Sequence, residues 1–319
     1  MFLRYQSLAV LFIFALSATP CTSAFAELSS TSQRSTAALC EENYYKGDAP
    51  NFINPALSRG TTELCFDGFT VMYSSITRTP LWSAEHLTQD RLEQAEHLSR
   101  KNNFHEENQL PLDQRATLED YKGSGFDRGH MSPNGDMGTR EQQYNSFSLA
   151  NMVPQNSYNN QNPWRLLEEA TRELVKQEGD AYVITGAAFR GNQIRKIGHV
   201  LVPSDVYKVV YFPKRQAAGV YFAPNDASGQ VDVITLAELN EKIGLDLFPS
   251  LSTQIKQQRV NMPLSTKMGI RQGEINGRET NAAKTGHHNL VTHYGVSSSS
   301  QTQSATRGLL KRMWKALTQ

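Results

Sequence analysis

Residues Gly125 to Asp136 read GFDRGHMSPNGD, and glycines punctuate a run of side chains with different chemical abilities. Asp127 accepts hydrogen bonds, Arg128 is a permanent cation shaped for bidentate contact with phosphate, and His130 can take a proton near neutral pH. Gly129 between them is read as a place where backbone can approach a ligand closely. An arginine beside a histidine is unusual for a satisfied core imidazole, because burying both is costly without partners. Taken alone, His130 reads equally well as a hydrogen-bonded structural residue. The chain has neither a Gly-x-Ser-x-Gly nor a His-Glu-x-x-His pattern, so acyl transfer and zinc proteolysis lack their usual signatures.

Further along, residues Asn151 to Glu168 read NMVPQNSYNNQNPWRLLE. Asn and Gln carbonyl oxygens suit a hard cation such as Mg²⁺. Pro163 to Glu178 has the pattern of a helix, with Asn162 able to cap it and Pro163 in the first turn. Its apolar face is Trp164, Leu167, Thr171, Leu174 and Val175. Glu168 and Arg172 lie one turn apart on this helix, an arrangement that is equally that of a surface ion pair. Around these segments, Phe66 to Ser75, Ala181 to Ala188, His199 to Pro203, Val206 to Phe212 and Val220 to Ala223 read as strands. Strands interrupted by separate helices predict an α+β fold rather than a wound parallel sheet.

The order DRGHMSP (127–133), NMVPQ (151–155) and then Asn160-x₃-Trp164-x₃-Glu168 resembles the DNA/RNA non-specific endonucleases. These are the sugar-non-specific ββα-metal nucleases that include mitochondrial endonuclease G. The likeness runs from about Cys65 to Ala223, taking in the strands ITGAAF and VPSDVYKVVY. It implies a single mixed α+β domain in which the strand of His130 and a following helix form a ββα-metal, or His-Me finger, motif. It also implies roles. His130 would be the general base activating water, and Asn160 the one direct protein ligand of a Mg²⁺, with Mn²⁺ as a substitute left open. Glu168 would hold metal-bound water, and Arg128 and Arg172 would neutralise charge developing on the phosphate. Asp127 is read as structural or orienting, and Asn151 as part of a network near the metal. One departure stands out. Secreted members carry a further arginine shortly after a Trp on an earlier strand, where this chain reads Leu81-Trp82-Ser83-Ala84-Glu85-His86. Arg78 and Arg140 are the candidates to replace it.

The two ends read differently from the middle. Residues 1–26 have the pattern of a secretory signal: Arg4, an apolar run from Leu8 to Leu16, and Ala24-Phe25-Ala26 as a cleavage site. That run is too short to span a bilayer, which takes roughly 20 apolar residues as helix, so no stable membrane insertion is expected after cleavage. Removing the signal takes Cys21 with it and leaves Cys40 and Cys65, an even number in an oxidising compartment, expected to pair. Such a bridge contributes on the order of 3 kcal/mol by the chain-entropy model. The domain is expected over 27–260, followed over 261–319 by a polar flexible tail that ends in a short basic amphipathic helix.

Composition narrows the function classes. With 32 Lys+Arg against 31 Asp+Glu and 39% hydrophobic residues, the chain is neither a multi-span membrane protein nor a highly basic nucleic-acid binder. Positive charge is instead local: Arg190, Arg195, Lys196, Lys208, Lys214 and Arg215 face Asp205 alone between 181 and 221, as a phosphate-tracking groove requires. The expectation is a periplasmic or secreted, Mg²⁺-dependent endonuclease acting on DNA and RNA with little sequence preference, its homodimerisation left open. The alternatives are a catalytically inactive nucleic-acid-binding or uptake protein of the same fold, and a phosphodiesterase for small nucleotides.

Overall fold

Every residue of Asp205–Phe212 is buried, and Asp180–Ala188 is nearly as enclosed. Strands without a wet face belong at the middle of a sheet covered on both sides. The structure, a computed structural model, describes residues 40–191 and 194–263, so the expected signal segment and nearly all of the expected tail lie outside the described residues. In chain order the strands are β1 (Thr61–Phe66), β2 (Phe69–Ser74) and β3 (Thr79–Thr88), followed by helix α1 (Gln89–Glu96). Next come β4 (Phe126–His130), β5 (Met152–Asn156) and helix α2 (Arg165–Glu178). The chain then forms β6 (Asp180–Ala188), β7 (Asp205–Phe212), β8 (Ala217–Pro224), β9 (Asp232–Ile234) and helix α3 (Leu236–Ile243).

Seven strands form one antiparallel sheet in the order β9-β8-β7-β6-β3-β2-β1. The neighbours β3 and β6 are separated in sequence by everything from α1 to α2. That excursion contains β4 and β5, a separate antiparallel pair in which His130 faces Met152 and Asp127 faces Gln155. Strand β4, strand β5 and the helix that follows thus build a ββα unit on one face of the large sheet. The α+β expectation holds.

The sheet has two apolar sides. On one, Trp82, Ile184, Val209, Val220 and Leu239 of α3 pack together. On the other, Val183, Val206, Val210 and Tyr221 meet Trp164, Leu167, Leu174 and Val175. The face read on the sequence as Trp164, Leu167, Thr171, Leu174 and Val175 is indeed the buried one. The packed chain continues through Val260 and Met262, the latter lying where a Cβ on Gly219 would fall. Cys40 and Cys65 are bonded, tying the first described residues to the end strand β1. No helix among the described residues is long and apolar enough to cross a membrane.

Two local expectations are corrected. Phe66 to Ser75 is not one strand: Phe66 ends β1 and Phe69 begins β2, with Gly68 at φ +87° making the turn between them. Only glycine enters that region of backbone without strain. The second concerns the helix start. Asn162 does not cap it; Asn156 does, its side chain accepting from the N–H groups of Tyr158 and Asn159 at 3.0 and 3.3 Å. The chain is helical from Ser157, and Pro163 lies inside a widened π-type turn over Asn160–Trp164. Proline has no N–H to donate and its ring crowds the preceding turn, so the helix widens there rather than beginning there.

Candidate active site

The residues brought together first are those of β4. Asp127 is fixed by three donors, Ser157 Oγ at 2.8 Å, Asn160 Nδ2 at 2.9 Å and Gln161 Nε2 at 2.9 Å. Burial alone would raise this carboxyl, but the three bonds outweigh it and hold Asp127 below the ordinary carboxylate range. An anionic acceptor settles which end of the Asn160 amide faces it. The NH₂ group points at Asp127, leaving the carbonyl oxygen for the cleft that both His130 and Asn160 line. Asp127 is therefore the orienting residue, and it joins the strand of the ββα unit to the helix.

His130 sits at the end of β4 at 9% exposure, with the Phe147 ring edge-on at 4.9 Å and Phe104 at 5.7 Å. Its Nε2 is buried and has no hydrogen-bond partner. A buried polar atom without a partner is rare enough in a folded protein to call for a functional explanation. Burial first, then the Arg100 and Arg128 charges, push the imidazole down to about 3. It is therefore neutral at physiological pH. The reading of His130 as a hydrogen-bonded structural imidazole does not survive.

Gly129 plays a different part from the one read on the sequence. A Cβ there would lie 2.1 Å from Gln155 Oε1, the side chain crossing from the paired strand. Close approach of a neighbouring side chain, not of a ligand, requires the glycine. Gln155 in turn donates to Asn159 Oδ1 at 2.7 Å, steadying the turn that carries Asn160. Asn151 is fully buried, and its amide accepts from Ser132 N at 3.0 Å and donates to the carbonyls of Ser132 and Ser146, both at 2.9 Å. It clamps the loop that follows His130.

Glu168 and Arg172 both face the cleft, which has a volume of about 1130 Å³. They do not form the ion pair expected from their spacing. Arg172 Nη1 bonds Asp136 Oδ1 at 2.9 Å instead, and its guanidinium lies within 3.0 Å of where a Gly135 side chain would begin. Burial raises Glu168 to about 7, opposed by the Lys208 and Arg172 charges.

Neither candidate to replace the arginine absent after Trp82 reaches the cleft, and an arginine that sequence reading did not single out does. Arg78 donates to the carbonyls of Asp113 and Arg115, and Arg140 bonds Ser99 and Gln143; neither lines the cleft. Arg100 does, lying over the Phe147 ring at 5.1 Å on the same ring that packs against His130. It comes from an irregular segment between α1 and β4, where no pattern marks it. Arg128 stacks on Phe104 at 4.1 Å. Arg100, Arg128 and Arg172 thus converge on the pocket of His130.

The basic run between 181 and 221 does not form the expected groove. Arg190 pairs with Asp205, Arg215 with Glu178 and Lys214 with Asp180, while Lys208 is fully buried beneath the sheet face. From that run Arg195 stacks on Phe126, a cleft residue, at 4.9 Å. The positive charge of the cleft comes chiefly from the ββα unit and the loop before it.

Among the described residues, no cluster of three His, Cys, Asp or Glu side chains forms an all-protein cage for a metal. One oriented amide oxygen beside a partly buried carboxylate instead fits a hard cation that keeps most of its own water.

A family model for DNA/RNA non-specific endonucleases matches residues 47–254. Nuclease C1 of Cunninghamella echinulata var. echinulata is 34% identical over 221 residues, covering 63% of this chain and 87% of the relative. Human mitochondrial endonuclease G is 31% identical over 198 residues, covering 57% and 62%. Human mitochondrial nuclease EXOG is 31% identical, covering 60% and 58%, so the chain spans less than two thirds of the length of these two human relatives. Among solved structures, a chain from a crystal structure of the EndoG/EndoGI complex, described as showing the mechanism of EndoG inhibition, matches in fold. Its TM-score is 0.57 at 24% identity, covering 62% of this chain and 92% of that one.

Proposed function

The chain belongs to the DNA/RNA non-specific endonuclease family, and we propose that it is an exported, Mg²⁺-dependent endonuclease hydrolysing phosphodiester bonds of DNA and RNA with little sequence preference. The observation that carries this reading is the unpartnered Nε2 of a neutral, buried His130 in a cleft that Asn160 and four arginines also line. Asn160 Oδ1 would hold the cation, oriented by Asp127. When bound, the cation supplies Lewis acidity at the scissile phosphate and stabilises the leaving 3′-oxygen.

The protein's own groups do the rest. His130 takes a proton from water as the water oxygen bonds to phosphorus and the bond from phosphorus to the 3′-oxygen breaks. Glu168 accepts hydrogen bonds from water at the cleft wall and holds it in place. Arg100, Arg128 and Arg172 meet the charge growing on the phosphate oxygens. Phe104 and Phe147 keep bulk water from the imidazole and so keep it unprotonated. These groups would act on the phosphate rather than on base edges, in line with recognition of the backbone.

Export is inferred from residues 1–26, read as a cleavable signal, and is supported by the Cys40–Cys65 bridge, which suits an oxidising compartment. A mature N-terminus at Glu27 in periplasmic or culture fractions is the expected outcome.

The decisive assay is incubation with plasmid DNA and with RNA across a series of divalent metals and EDTA. Expected are oligonucleotides with 5′-phosphate ends when Mg²⁺ is present, and intact polymer in EDTA. Intact plasmid at micromolar protein with Mg²⁺ would instead identify a binding protein of this fold.

A further inference from the structure

The turn after His130 holds a polar side chain that the cleavage steps above do not use. Asn134 lines the same cleft as His130, Glu168 and Arg172 and is 9% exposed. Its Nδ2 is buried and has no hydrogen-bond partner. An amide nitrogen donates and does not accept, so the group that would satisfy it is an acceptor and not a cation.

The turn itself is held firmly. Asn134–Asp136 is a single helical turn in which Asp136 N donates to the Pro133 carbonyl at 3.0 Å and Met137 N to the Asn134 carbonyl at 3.3 Å. Two arginines clamp its far end. Arg91 Nε donates to the Asp136 carbonyl at 2.8 Å, and Arg172 Nη1 to the Asp136 carboxylate at 2.9 Å. A donor kept without a partner by a fixed backbone costs stability and calls for an explanation in function. Arg172 indicates what the acceptor is. Its guanidinium lies 3.0 Å from where a side chain on Gly135, the next residue, would begin, so the turn that carries the amide packs directly on a cation. Three further arginines, Arg100, Arg128 and Arg165, line the cleft. The acceptor that suits such surroundings is an anionic oxygen.

We infer that Asn134 Nδ2 donates to a non-bridging oxygen of the scissile phosphate, a contact beside that of Arg172. The inference deepens the function proposed above and rests on it. The arginines supply charge; a neutral donor fixed in advance supplies direction, at no cost of rearrangement when the phosphate arrives.

The test compares the full-length wild type with N134A. The variant is expected not to lower Tm in the absence of metal and nucleic acid, because a donor without a partner contributes nothing to the fold. Cleavage is then followed at one linkage of a duplex that carries oxygen there, or sulfur at one or the other non-bridging position. N134A should lower kcat/KM about 10- to 100-fold on the oxygen duplex. That loss should persist with sulfur at one position and mostly disappear with sulfur at the other, since sulfur is a weak acceptor and the bond is already lost there. Wild-type kcat/KM in N134A, or a loss of the same size on all three duplexes, overturns the inference. Should N134A fail to fold, N134D, which keeps the shape of the side chain and removes the donor, is judged on the same three duplexes in the same way. A wild type that cleaves none of them with any divalent metal would count against the proposed activity. Binding of the oxygen duplex in EDTA then carries the test: N134A should raise Kd about 10-fold, and an unchanged Kd overturns the inference.

Discussion

The two faces of the central sheet are made by the same strands and differ in what they bury. On the α3 side, Trp82, Ile184, Tyr207, Val209 and Phe222 meet apolar helices and loops, and the Tyr207 hydroxyl donates to the Leu81 carbonyl at 2.9 Å. On the α2 side, the alternate residues of the same strands include Ser83, Glu85, Thr185 and Lys208, all nearly or wholly inaccessible. One face is a support. The other puts polar and charged groups where water cannot screen them, beneath the helix that carries Glu168 and Arg172. Electrostatic interactions gain strength in such a place, and an unpaired group becomes costly there, so each charge on that face needs a partner.

If this contrast is right, substitutions on the two sides separate catalysis from stability. The largest effect is expected at the cleft itself. His130→Ala should lower kcat about 10²- to 10⁴-fold while leaving duplex affinity near that of the wild type, measured by single-turnover cleavage beside binding in EDTA. Cleavage at the wild-type rate would mean that the unpartnered imidazole is not the base.

Arg100→Ala comes next, with a loss of about 10²- to 10³-fold in kcat and a small change in melting temperature. Arg78→Ala is its control, because Arg78 bonds backbone carbonyls away from the cleft and should affect folding instead. If Arg78→Ala lost activity and Arg100→Ala did not, the arginine after Trp82 would have been replaced by the other candidate.

On the far face, Leu239→Ala truncates a fully buried α3 side chain. It should cost about 2–5 kcal/mol of stability in a denaturant titration and leave kcat of the folded fraction unchanged. A fall in kcat would show that the support face is coupled to the chemistry, and the contrast between the faces would lose its meaning.

The sequence carried the contrast only in part. Runs of β-branched and aromatic residues mark Ala181 to Ala188 and Val206 to Phe212 as strands, and the helical spacing of Leu167, Leu174 and Val175 gives the buried side of α2 correctly. His130, Asn160, Glu168, Arg128 and Arg172 were legible because they fall in ordered, closely spaced motifs. Arg100 was not, since it lies in a loop where neither spacing nor periodicity constrains a residue. Lys208 was misread as part of a surface groove because a lysine in a strand normally faces water; only the packing of α2 over that position reverses the inference. The Glu168–Arg172 pair failed for a related reason. Helical spacing brings two side chains within reach, but it cannot show a third group, here Asp136, that competes for the arginine.

The smallest predicted effect probes the buried carboxylate on the charged face. Burial, and then the neighbouring Asp136, raise Glu85 to about 8, although Arg91 and Lys208 act against them. A carboxyl raised on folding binds a proton that the unfolded chain has released, so its contribution to stability is full below the unfolded value near 4.5. That contribution declines as pH rises and is lost by about 8. The wild type should therefore lose on the order of 1 kcal/mol per pH unit from this group between about pH 5 and pH 8. His130, lowered to about 3, has the opposite sign and acts at lower pH: its burial as a neutral ring costs stability as pH falls from near 6.5. Glu85→Gln removes the first slope and leaves the second. Its Tm should stay flatter than that of the wild type from about pH 6.5 to pH 8, and the two curves should run parallel only below about pH 4.5. Parallel curves across the whole range would mean that Glu85 is ionised in the folded protein. Glu85 would then be an anion held by the Arg91 guanidinium 3.3 Å away.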